Sequence, residues 1–424
     1  MPIELLAPAG DMERLRMAVA YGADAVYLAG GDFGMRAFAG NFDAGGLKTA
    51  VALCHAHGVK VHVTCNTMPR NGEVDRLPEW LEYVDGVGVD AVILADLGVF
   101  RLAQRHAPHA RLHVSTQAGV TNYEVARAWH ELGARRVILA RELSLDEIAE
   151  IRGRTPPGLE IEAFVHGSMC VSYSGRCLLS NYMTGRDAQR GMCAQPCRYQ
   201  YALVEEKRPG EYFPVYEADG ETYIMNSRDM CMIGHIPDLL DAGLDSLKIE
   251  GRAKSAYYAA VVTGAYRHAL DAALAGEPLD PVWRAELDKV SHRPYATGFY
   301  YGPPGQYTGD ARYIRDYQVS AVVESCDGAG EAVLSLRNKF SAGMELELMG
   351  PGLEPITFPA PVMEDMEGQS LTEPKKPEMR FRMRLPRPVE PLSLLRRRVD
   401  LSPRPPLDPD TVAPETASRV PTSP

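Results

Sequence analysis

Cys170, Cys177, Cys193 and Cys197 follow one another with the spacing C-x6-C-x15-C-x3-C, which puts half of the chain's eight cysteines in one short segment. Scattered core thiols do not cluster in this way. Disulfide frameworks belong to small secreted chains. This chain has 424 residues, and its start, Met1–Leu6, does not read as a secretory leader, so a reducing, cytoplasmic setting is expected. Metal binding is therefore the leading explanation. Only the pair Cys193 and Cys197 has the knuckle spacing of a tetrahedral zinc site. Four thiolates on looser loops suit a [4Fe–4S] cluster, with zinc, or reduced structural or redox thiols, as the other readings. Cys231 is a fifth candidate, so either it or Cys197 is spare. Cys54, Cys65 and Cys326 sit in helix or strand patterns and read as core or surface thiols.

The segment also places His166 four residues before Cys170, the bare outline of a nucleophile and base. Four neighbouring thiols argue against one dedicated nucleophile. Neither HExxH nor GxSxG occurs, so zincin and α/β-hydrolase chemistry lack their usual signatures.

The elements that must carry these residues are eight short apolar runs: Leu5–Ala7, Ala25–Ala29, Val59–Cys65, Ala91–Ala95, Leu112–Ser115, Arg136–Ala140, Ile161–Val165 and Ser246–Ile249. Helical stretches separate them, and Gly22, Gly58, Gly88, Gly133 and Gly243 each stand just before a strand, where glycine ends a helix in the left-handed conformation. Eight alternating units predict a TIM-type (β/α)8 barrel over residues 1–310, with a cysteine-bearing insertion at about 167–245 before the last strand. Barrel chemistry sits at strand C-terminal ends. Those ends carry Asn66, Asp96, Gln117, Arg141 with Glu142, His166, and Lys248, Glu250 and Arg252.

Lys248 and Glu250 share one strand face by the period of two, with Arg252 just beyond. Such a charged set at a barrel mouth clamps an anionic substrate or pairs internally. His166 reads equally as a proton carrier, a carboxylate ligand or a satisfied structural histidine. Arg141, Glu142 and Arg176 are further candidates.

Residues 316–390 change character: short alternating runs separated by Gly, Asp and Pro predict a small antiparallel β-barrel. Within it, Arg380, Arg382 and Arg384 alternate with Phe381, Met383 and Leu385, which as a strand makes a phosphate-binding stripe or a plain solvated face. Arg387 and Arg396 to Arg398 would extend it. Residues 401–424 are rich in Pro, Ser and Thr and read as a disordered tail. The net charge of −11 excludes a generally basic surface but leaves a local RNA patch open. No run approaches the roughly 18 apolar residues of a membrane span.

The stretch Glu162-x-Phe164-x2-Gly167-Ser168-Met169-Cys170-x4-Gly175-x-Cys177-x-Leu179-Ser180 resembles, without departure, the signature of the collagenase-like peptidase family. Ser246-Leu-Lys-Ile-Glu-Gly-Arg252 and Asn338-Lys-Phe-Ser-Ala-Gly343 extend the likeness, which spans roughly residues 3–390. Within that family the chain is similar to the branch that hydroxylates tRNA. The resemblance implies 5-hydroxylation of the wobble uridine, a [4Fe–4S] cluster held by Cys170, Cys177, Cys193 and either Cys197 or Cys231, and prephenate as the source of the hydroxyl. It also implies tRNA as partner, with a homologous subunit or redox proteins beside it. The family's peptidase label, and an RNA-binding or scaffold subunit with a structural cluster, are the alternatives.

Overall fold

The computed structural model describes residues 3–31, 33–34, 41–170, 172–174, 177–198, 202–204, 212–214, 227–304 and 313–399. Arg176 and the expected disordered tail 401–424 lie outside the described residues. The strands β1 (Glu4–Pro8), β2 (Ala25–Ala29), β3 (Lys60–Cys65), β4 (Ala91–Leu94), β5 (Arg111–Val114), β6 (Arg136–Ile138), β7 (Glu160–Ser168) and β8 (Ser246–Ile249) each lie parallel to the next. β8 then pairs with β1 through Leu5 and Leu247, which closes an eight-stranded parallel barrel.

Local chemistry sets the crossovers. Asp43, Asp96, Asn122 and Ser144 accept bonds from first-turn amides of their helices. The five glycines that precede strands all adopt positive φ, as the turn out of each helix requires. Outward side chains of the strands join the helices in one large apolar core.

The helix Ala256–Ala275 completes the outer ring, capped by Ser255 and buried along much of its length. A second core forms within an eight-stranded antiparallel sheet between Tyr317 and Arg398. This is the expected small antiparallel β domain; among the described residues its outer strands, Leu353–Pro359 and Ser370–Leu371, do not pair with each other. The sheet also runs past residue 390, because the strand Leu394–Arg398 lies between Tyr317–Cys326 and Glu345–Gly350.

Arg396, on that strand, is fully buried, donating to Glu286 at 2.6 Å and to Glu347 at 2.7 Å. Glu286 belongs to the helix Pro281–Leu287 of the barrel unit, so this cluster ties the two units together. Arg396 therefore drops out of the expected basic stripe. Its charge is held by two carboxylates that it shares with Lys289, which lies 3.0 Å from Glu286 and 2.8 Å from Glu347.

Candidate functional site at the barrel mouth

Strand alternation brings Tyr27, Thr64, Ser115, Phe164 and Lys248 to the C-terminal end of the barrel, where they line a cavity of about 190 Å³. The insertion covers it. Cys170, Cys177, Cys193 and Cys197 all line this cavity, together with Arg141, Gln117, Glu250 and Arg252. Residues separated by more than 200 positions in sequence, Asn41 and Arg252 among them, meet here.

Several contacts fix the cysteine loops. Glu142 accepts from the backbone amide of Ser174 at 2.7 Å and from its hydroxyl, holding the loop between Cys170 and Cys177 against the barrel rim. Gln189 donates to the carbonyl of Cys177 at 3.1 Å, and its own carbonyl accepts from the Met68 amide beyond β3. The Gln195 backbone sits at φ 57, a left-handed conformation unusual for a side-chain-bearing residue, and its amide points at Cys193 Sγ at 3.3 Å. At the end of β7, Gly167 has φ +110 and a Cβ there would come within 2.5 Å of the Glu250 carbonyl, so glycine is what lets β7 close on the loop after β8.

Cys170, Cys177 and Cys193 carry free thiols, the first exposed and the others half-buried. Cys231 is elsewhere. It lies buried in the short strand Asp229–Cys231, opposite His166 and away from the cavity lining, and burial pushes its thiol upward. Cys54 and Cys65 are buried too, with thiols pushed up to about 12 by burial, as inert core cysteines are. Among the described residues no three His, Cys, Asp or Glu side chains converge tightly enough for a single metal ion. A cubane holds its four thiolates further apart than one ion does, and four sulfur donors around one cavity fit that larger group by number and chemistry.

Lys248 is buried and donates to Glu162 at 2.8 Å, with its ammonium 4.5 Å from the Tyr27 ring centre. Burial lowers its pKa, against the pull of Glu162. Arg252 is likewise buried, reaching Thr64 Oγ1 at 2.9 Å. Arg141 lies over the Phe164 ring and donates to the Ser168 carbonyl at 3.3 Å.

His166 is placed differently. It is 1% exposed, faces the rings of Tyr258 and Tyr266 on the helix Ala256–Ala275 and of Tyr295 on the short strand Tyr295–Ala296, and is not part of the cavity lining. Burial holds it well below the usual histidine range, hence neutral. Asp96 caps a helix.

Below Lys248, sequence reasoning passed over a set of buried charges. Arg136 bonds Glu4 at 2.5 Å and Glu160 and Glu162 at 2.8 Å inside the barrel. His62 and His113 pack edge to face beside them, with centroids 4.8 Å apart. The signal was present in the strict alternation Lys60-Val-His62-Val-Thr64 and Arg111-Leu-His113-Val-Ser115, which sends every polar residue to one face.

In the C-terminal sheet, the strand Arg380–Arg384 exposes Arg380, Arg382 and Arg384 and buries Phe381 and Met383. Arg380 pairs with Glu324 at 2.7 Å, and Arg384 lies 3.9 Å from Glu331. Arg387 donates to the Glu354 carbonyl. Two aromatics of the insertion are open to solvent: Tyr173, half exposed at the cavity edge, and Tyr182, 83% exposed on the short helix Leu179–Thr184.

A (β/α)8 barrel whose cysteine-rich insertion folds over its mouth, joined by a buried ion cluster to an antiparallel sheet, is the class of protein these features define. The chain belongs to peptidase family U32, which it matches over residues 10–310, and residues 315–396 match the C-terminal domain of that family. It is 37% identical over 401 residues to tRNA hydroxylation protein P1 of Bacillus subtilis (strain 168), covering 93% of this chain and 94% of that protein. Against tRNA hydroxylation protein P of Escherichia coli (strain K12) it is 37% identical over 415 residues, with 87% and 90% covered. The 23S rRNA 5-hydroxycytidine synthase of Escherichia coli (strain K12) is 36% identical over 291 residues, or 68% of this chain and 42% of that one. Among the described residues no helix is long and apolar enough to cross a membrane.

Proposed function

We propose that the chain hydroxylates tRNA, forming 5-hydroxyuridine at the wobble position with prephenate as the hydroxyl source, at an iron–sulfur site in the barrel mouth. The observation that carries this reading is the shared cavity: four cysteines face Lys248, Glu250, Arg252 and Arg141 across it. Cys170, Cys177, Cys193 and Cys197 would hold the [4Fe–4S] cluster, leaving Cys231 as a core thiol. When bound, the cluster supplies one-electron redox chemistry. The names of two relatives supply the tRNA, and that of the third supplies position 5 of a pyrimidine.

The chain's own residues do the rest. Three cations in a half-open cavity suit a small dicarboxylate such as prephenate, and Lys248, with its lowered pKa, suits proton exchange at the reacting centre. The ring faces of Tyr27 and Phe164 line the floor, apolar walls on which a planar ring can lie. Tyr173 and Tyr182 offer stacking faces to unpaired bases outside the cavity. Arg380, Arg382 and Arg384 provide cations for phosphates. A homologous subunit or redox protein would exchange electrons with the cluster.

A peptidase needs a nucleophile with a base beside it. The described cavity lining contains no histidine, which weighs against that reading. Digestion of tRNA from a strain lacking this gene, before and after complementation, followed by nucleoside mass spectrometry, tests the proposal. Hydroxyuridine that disappears and returns supports it, and hydroxyuridine that persists refutes it.

A further inference from the structure

TIM barrels usually fill their interior with layers of branched apolar side chains. This one has a charged axis. Lys248 at the mouth bonds Glu162, Glu162 bonds Arg136, Arg136 bonds Glu4, and Glu4 reaches Lys60 at 3.1 Å. The Lys60 side chain is 49% exposed at the opposite, N-terminal face. An unbroken chain of ion pairs therefore runs through the barrel from one face to the active cavity.

A second cavity, of about 70 Å³, lies along the lower part of this chain, lined by Glu4, Lys60, His62, His113 and Arg136 among others. His113 is 1% exposed and neither of its ring nitrogens has a protein partner, nor has His62 Nδ1. Buried polar atoms left without partners cost about 1–3 kcal/mol each. Water needs only about 10–15 Å³ of such space per molecule. Polar walls, orphaned nitrogens and sufficient volume together make this cavity wet.

We infer that the barrel axis is a proton pathway, in which ordered water and the imidazoles of His62 and His113 connect Lys248 in the mouth to solvent at the N-terminal face of the barrel. The inference rests on the reading of the mouth as the site of hydroxylation. A bound tRNA would cover the mouth and cut its water off from bulk, so a base working there needs a second outlet. The transfer moves no electrons. A proton leaves Lys248 Nζ for Glu162, passes by ordered water beside Arg136, which lines the lower cavity, to an imidazole there, and an equivalent proton is released beside Lys60. Reprotonation follows the reverse route.

Arg136 keeps its proton throughout, so protons pass beside it and not through it. The charges facing Lys248 are Glu162, Arg136 and Glu4 from the axis, and Arg141, Glu250 and Arg252 share its cavity. Those facing the imidazoles are Glu4, Arg136, Glu162, Lys248 and Arg111, with Lys60 and Asp90 lining the same cavity. Burial holds both histidines neutral, His62 at about 4, the form in which one ring can both accept and donate.

The test uses the cluster-loaded enzyme and tRNA in single turnover, in water and in deuterated water, for wild type, His113→Ala and His113→Phe. The pathway predicts normal iron content and tRNA affinity in both variants. It predicts turnover slowed roughly 10-fold or more with an enlarged solvent isotope effect. Added imidazole should restore His113→Ala and leave His113→Phe slow. Wild-type rates and isotope effects in both variants would overturn it. A crystal structure of the wild-type holoenzyme that shows ordered waters joining His113 to Glu162 supports the pathway independently of activity, and a dry cavity overturns it. Wild-type enzyme that makes no hydroxyuridine refutes the hydroxylation reading, and the crystallographic waters still decide the passage.

Discussion

Glu162 on β7 accepts from Lys248 on β8 at 2.8 Å, in the middle of the barrel and with both side chains buried. The same carboxylate also accepts from Arg136. It thereby links the charged floor to the cavity above. Glu162→Ala leaves two buried cations without it. Truncating one member of a buried ion cluster costs about 3–5 kcal/mol, so denaturant unfolding should show a loss of that order. Glu162→Gln, which keeps a hydrogen-bond acceptor, should lose less. An unchanged midpoint in Glu162→Ala would show that the network carries no net stabilisation.

Acid should weaken the barrel earlier than its carboxylates alone would. His62 falls from its ordinary 6.5 to about 4 on folding, because burial disfavours its charged form. Between those values the unfolded chain binds the proton and the folded chain does not, so stability rises with pH across the window. The contribution is complete above pH 6.5 and is lost as pH falls towards 4. The shift corresponds to about 3 kcal/mol. His113 moves the same way. Stability measured from pH 7 to pH 4.5 should therefore fall in the wild type and fall less steeply in His62→Leu.

Glu142 offers a way to disturb the cysteine loop without touching a thiol. Its bonds to Ser174 hold the segment between Cys170 and Cys177. Glu142→Ala should unfold at nearly the wild-type midpoint, within about 1 kcal/mol, while retaining less iron after gel filtration. Iron content equal to the wild type would show that the loop holds itself.

On the C-terminal sheet, Arg382 is exposed and makes no ion pair among the described residues, so it is the stripe's most available cation. Arg382→Ala should weaken tRNA binding and lower the slope of log affinity against log salt by about 1. An unchanged slope would remove this strand from the RNA interface. Arg396→Ala is expected to behave otherwise, loosening the junction between the two units with little change in that slope.

The barrel was legible because short apolar runs mark each βα unit and glycines at helix ends precede five of the strands, and all eight strands fall where those runs lie. The meeting of the cysteines with Lys248, Glu250 and Arg252 was legible because an insertion before the last strand and the C-terminal ends of the strands open on one mouth. The charged interior was not read, since each of Glu4, His62, His113 and Arg136 looks isolated until strands distant in sequence come into register. His166 shows the opposite limit. The period of two would keep it with Glu162 and Phe164, but an irregular register between β7 and β8 at this point and the antiparallel strand Asp229–Cys231 accompany its placement among Tyr258, Tyr266 and Tyr295. Arg396 looked like its neighbours Arg397 and Arg398, and only the docking of the two units shows it to be buried.

The central claim is that Cys170, Cys177, Cys193 and Cys197 hold an iron–sulfur cluster in the mouth. Anaerobic purification with iron and sulfide analysis and a visible absorption spectrum, on the wild type, Cys170→Ala, Cys197→Ala and Cys231→Ala, tests it most directly. The account predicts about four irons per chain and a broad visible band in the wild type and Cys231→Ala, with both lost in Cys170→Ala and Cys197→Ala. A colourless wild-type protein, or iron that survives Cys197→Ala and vanishes in Cys231→Ala, would contradict it.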